Sequence, residues 1–104
     1  MDQPTPANAE AVFDEKRWRT EGSILIAYSA WKSPTDDNVA SNFFIFITKK
    51  GNYFSQQDDY SPVLPVHSHI KPMTMSSAIE FYERENFIKM LSFSEAFGKG
   101  LEDA

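Results

Sequence analysis

The chain has 104 residues, 41% of them hydrophobic and 14% aromatic, with nine Phe and no Cys, which is the content of one packed core and excludes a linker or a disordered tail. The lack of cysteine rules out disulfides, thiolate metal sites and a thiol nucleophile. Ten basic residues against fifteen acidic ones leave a formal charge of −5, which repels a phosphate backbone or an anionic membrane and favours a basic partner.

Residues 1–8, beginning Met1-Asp2-Gln3-Pro4-Thr5-Pro6, read as a flexible leader with nothing to bury and no signal-peptide pattern. One domain over 9–101 and an acidic tail over 102–104 complete the organisation. The longest apolar run, Phe43-Phe44-Ile45-Phe46-Ile47, is far below the ~20 residues that span a bilayer. A soluble cytoplasmic protein without a membrane role is the expectation.

After the leader, Asn8 is placed to cap a short helix, and the competing reading starts a strand at Lys16 or Arg17 that turns at Glu21-Gly22. Residues 23–31 form the first firm strand, apolar on both alternating faces. Lys32 to Asn38 collects turn formers and charge, which predicts an exposed loop. A second two-sided apolar strand covers 42–48, and Lys49-Lys50-Gly51-Asn52 turns it into a third at 53–57. Pro62 and Pro65 restrict the next segment, through Val66-His67, to a short edge strand or an extended connection. A helix is predicted over 75–91, with Ser77 and Glu80 as a capping box and Ala78, Phe81, Tyr82, Ile88 and Leu91 along one side. If Asn86 ends it early, 87–93 becomes a last strand. Ser92 and Glu95 then cap a short helix ending before Gly98.

The predicted fold class is therefore α+β: a small antiparallel sheet of three to five strands with one main C-terminal helix packed on a face. Because 23–31 and 42–48 are apolar on both sides, one helix cannot cover them. Either the N-terminal segment and the C-terminal helix cap the second face or a second copy does, so a homodimer is among the expectations.

No Gly-x-Ser-x-Gly elbow and no phosphate-cradling glycine loop is present. His67 and His69 sit two apart, a spacing that puts both imidazoles on one strand face and lets them share a divalent metal if Asp58, Asp59 or Glu80 adds a third ligand. Without that ligand the pair reads as ordinary edge-strand imidazoles. Lys16-Arg17-Trp18-Arg19, with Lys49-Lys50 as a second cluster, has the chemistry of a strand-binding patch, but the net negative charge argues for solvated faces and against a nucleic-acid partner.

Two acidic, aromatic-flanked loops carry the main functional expectation: Trp31 before Asp36 and Asp37, and Asp58, Asp59 and Tyr60 after Tyr53. Rings beside charge of one sign are what protein-recognition surfaces use. The reading is a non-enzymatic interaction domain without cofactors, of the kind that serves as a small acidic inhibitor, immunity or adaptor protein binding a basic protein surface. The alternatives are a small metal protein or metal-dependent enzyme using His67 and His69, and a homo-oligomeric structural domain.

Overall fold

The computed structural model describes residues 3–36 and 38–98. Its N-terminal region forms a hairpin of β1 (Glu10–Phe13) and β2 (Lys16–Arg19). The strand reading of this region holds and the Asn8 helix does not form. Asp14 and Glu15 make the tight connection with φ of 50° and 62°, the left-handed pair that a two-residue hairpin turn requires to match strand twist.

The main sheet contains β3 (Ile24–Lys32), β4 (Ala40–Ile47), β5 (Tyr53–Tyr60), β6 (His67–Met73) and β7 (Ile88–Lys89). It is antiparallel throughout, in the order β6-β5-β4-β3-β7. Two short helices, α1 (Met75–Tyr82) and α2 (Phe93–Phe97), complete the fold. The predicted α+β class with one main C-terminal helix is thus corrected. Strands account for 44% of the described residues and helices for 15%, and the 75–91 helix stops at Tyr82.

The physical reason lies after Tyr82. Phe87 turns inward, 7% exposed, and packs on Phe43 and Phe81 at 5.8 and 5.9 Å between ring centroids. Continuing the helix would carry it away from that contact. The chain extends instead, so that Ile88 and Lys89 pair with β3 and the Met90 and Leu91 N–H groups donate to the Ile26 carbonyl. Ile26 is the extra residue of a bulge between Leu25 and Ala27, a device that re-aims side chains and bends an edge. Ile26 and Ala27 consequently enter the same core.

That core lies under the helices, where Ile45, Ile47, Tyr53, Ala78, Tyr82 and Phe97 meet. Thr74, not Ser77, caps α1, its hydroxyl accepting from the Ser77 N–H at 3.1 Å. The Ser92–Glu95 capping box of α2 is present as predicted. The opposite face buries Tyr28, Phe44, Phe46, Phe54 and Ile70 beneath Trp18 of the hairpin. Trp18 meets Phe54 edge-on at 6.1 Å, and Phe54 stacks on Phe46 at 5.1 Å. The chain's own hairpin therefore covers the second apolar face.

Hydrogen bonds fix the hairpin in place. Asp58, fully buried, accepts from the Ala7 N–H at 2.7 Å, Gln56 at 2.9 Å and Ser68 at 2.6 Å. Gln56, also fully buried, accepts from Thr20 and donates to the Ala7 carbonyl at 2.7 Å. A buried carboxylate survives in such a place only when its lone pairs are filled.

Candidate functional site

The helices leave one end of their face of the sheet uncovered. Directly paired residues on neighbouring strands point to the same face, so the register defines two rows there. One runs Trp31, Ser41, Asp59, His67 across β3, β4, β5 and β6; the next runs Ser29, Phe43, Gln57, His69. Phe43 ties the second row to the helical core through Phe81, at 5.1 Å. Asn86 marks the boundary by donating to the Ser29 hydroxyl at 3.0 Å. Beyond it lies a polar shelf with an exposed ring at one side: Trp31 is 54% exposed.

Asp59 is the centre of this shelf. Its Oδ1 accepts from the Ser41 hydroxyl and from Gln57 Nε2 at 3.0 Å, and its Oδ2 lies 3.7 Å from His69 Nε2. The hydrogen bonds from Ser41 and Gln57 hold the carboxyl below the usual aspartate range, with the two neighbouring imidazoles acting in the same direction. The rings of His67 and His69 stand 4.2 Å apart. Beside the shelf, between α1 and β6, opens a groove of about 470 Å³ lined by Phe43, Gln57, His69, Lys71, Ser77 and Phe81.

The arrangement sorts the chemistry. A nucleophilic serine needs an imidazole between itself and the carboxylate; here the carboxylate takes the middle position, and Ser41 donates straight to it. Such a contact orients a carboxylate and does not activate an alcohol. Among the described residues no group of three or more His, Asp or Glu side chains is placed to hold a metal ion, although His67, His69 and Asp59 share the face.

Of the residues singled out from the sequence, Trp31 and Asp59 are brought onto this one face. Asp36 is exposed in the connection from β3 to β4, where its carboxylate accepts from the Asn38 N–H at 3.0 Å as a turn former. Asp37 lies outside the described residues. Tyr60 pairs with Ala40, one position on from Asp59, and so points to the opposite face. Residues 58–60 belong to β5 and not to a loop, and this changes two assignments. Asp58 is wholly buried in the hairpin network, and Tyr53 is 6% exposed, its hydroxyl donating to the Ala96 carbonyl at 2.9 Å. Burial pushes the Tyr53 hydroxyl pKa up.

Ser41 and Gln57, whose side chains hydrogen-bond the Asp59 carboxylate, are not among the residues singled out from the sequence. Counting in twos outward from the Lys49-Lys50-Gly51 turn pairs Ser41 with Asp59, a signal that the register of the β4–β5 hairpin makes available. No protein-family model matches the chain, and no curated protein or solved structure matches it.

Proposed function

We propose that the chain is a non-enzymatic protein-interaction domain whose uncovered shelf docks a cation-bearing segment of a partner protein. One observation carries the reading: the cross-strand row that sets an exposed Trp31 and an ionised, hydrogen-bonded Asp59 on one face that no element among the described residues covers.

Trp31 and Asp59 are two strands apart, roughly 9–10 Å at the usual strand spacing, a distance that side chains of one bound segment span. An indole offers a large, rigid contact plane on which an apolar or cationic side chain settles. Asp59 offers an oxygen already oriented by two donors on its neighbour, the pre-organised acceptor that an arginine or lysine recognises. The adjoining groove, with Phe43 and Phe81 in its wall, receives the flanking residue.

Selection of displayed random peptides against the full chain tests this directly. Enriched peptides are expected to carry Arg or Lys beside an apolar residue, and to lose about tenfold or more in affinity against Trp31→Ala or Asp59→Asn, the scale of one anchor contact. Lys49→Gln, at the far end of the sheet, leaves that affinity unchanged. Peptides that bind both shelf variants as tightly as the parent protein defeat the proposal.

A further inference from the structure

The two cationic clusters that are separated in sequence meet in space. Five of the chain's ten basic residues, Lys16, Arg17, Arg19, Lys49 and Lys50, line one cleft of about 640 Å³ at the end of the molecule where β2, the β2–β3 turn and the β4–β5 turn converge. Glu15 and Glu21 are the acidic residues in its wall. Arg17 and Arg19 already face Glu10 at 3.9 and 3.2 Å. Lys16, Lys49 and Lys50 make no ion pair among the described residues.

Local backbone geometry builds this concentration. Gly22 has φ +81°, and a Cβ there would stand 3.6 Å from Lys49 Cε and 3.8 Å from its Nζ, so the Lys49 side chain lies against the β2–β3 turn. Thr48, Asn52 and Ser23 add neutral polar groups to the wall. Trp18 belongs to the wall as well, and its indole Nε1–H is buried with no hydrogen-bond partner among the described residues.

We infer that this cleft binds a discrete ligand carrying two or more phosphate groups. Three uncommitted ammonium groups, neutral donors and a concave volume in the range of small-ligand pockets are complementary to clustered phosphate charge. A single-stranded nucleic acid needs exposed rings on which its bases stack. The ring available here, Trp18, is 8% exposed and packed edge-on against Phe54. The cleft therefore reads phosphate charge and leaves bases unread, and it is independent of the shelf.

Isothermal titration of the full chain with sodium tripolyphosphate, and separately with orthophosphate, tests the assignment. Saturable one-to-one binding is expected for tripolyphosphate, about tenfold or more tighter than for orthophosphate, and weakened about tenfold or more in the Lys16→Gln/Lys49→Gln double variant. Both substituted side chains are exposed, so the variant keeps the parent's unfolding midpoint without ligand. Lys71→Gln, outside the cleft, binds as the parent does. Displacement of tripolyphosphate by vesicles bearing a polyphosphorylated lipid assigns the phosphates to a headgroup, and failure to displace assigns them to a soluble compound. Absence of saturable heat at millimolar ligand, equal binding by the double variant, or tighter binding of a short oligothymidine overturns the inference.

Discussion

Asp58 and Asp59 are neighbours of identical chemistry whose fates are opposite. Strand alternation sends Asp58 into the hairpin side, where it makes no ion pair among the described residues and depends on three donated hydrogen bonds. Asp58→Asn replaces an acceptor with a donor facing donors, and should lower unfolding free energy by about 2–3 kcal/mol in a urea titration; a loss under about 0.5 kcal/mol would mean the network contributes little. Asp59 keeps one side in water and enters the pH dependence instead. Because the fold lowers its pKa, the stabilisation it adds is complete above the unfolded aspartate value of about 3.9 and is lost as pH falls through the lower folded value. Asp59→Asn should therefore flatten the acid limb of the stability curve below about pH 4, whereas an unchanged limb places the acid sensitivity elsewhere. Neither role is legible from Asp-Asp-Tyr alone. Turn propensity marks both aspartates as loop, because a buried polar residue such as Asp58 looks the same as a solvated one until its partners at Ala7, Gln56 and Ser68 are known.

At the scale of elements, the β1–β2 connection stores strain that a substitution can release. Glu15 holds φ +62° with a full side chain, a conformation that costs about 1 kcal/mol for an L-residue and almost nothing for glycine. Glu15→Gly should raise the unfolding midpoint by an amount equivalent to about 0.5–1 kcal/mol, and a lower midpoint would show that the turn is not strained. Local signals of this kind are partly readable. The strands at 23–31, 42–48 and 53–57 emerge from alternation, and the α2 cap from Ser92 and Glu95. The α1 helix is shorter than its apolar pattern because Ile88 and Leu91 fit helical spacing without being helical. Apolar periodicity records that a residue is buried, but not whether a helix or the returning chain delivers it. Leu91 shows the difference: it fits the helical stripe and packs against the core from the returning chain, beyond the end of α1.

For the whole molecule, sequence patterning established that the central strands need cover on both faces, and the structure supplies it from two different parts of the chain. The helices come from the C-terminal half and the hairpin from the N-terminal one. Deleting residues 3–20 should expose Phe44, Phe46, Phe54 and Ile70 and convert the chain into a self-associating species in sedimentation. A truncated chain that stays monomeric with an unchanged midpoint would show that the hairpin is not the cover. With the hairpin in place, the sheet presents two chemically distinct ends: the Trp31–Asp59 shelf at one and the cationic cleft at the other. Both are made by residues far apart in the sequence that the sheet register and the turns bring together.

The two tryptophans make these ends separately visible, since the chain contains only Trp18 and Trp31, one in the wall of the cleft and one on the shelf. The most direct measurement is a proton–nitrogen correlation spectrum of the two indole N–H groups, recorded while a selected arginine-bearing peptide is added to the full chain. The account predicts that the Trp31 signal moves to saturation, that the Trp18 signal stays in place, and that Asp59→Asn abolishes the movement. A peptide that binds while the Trp31 signal remains still, or that shifts it equally in Asp59→Asn, would contradict the shelf as the docking surface.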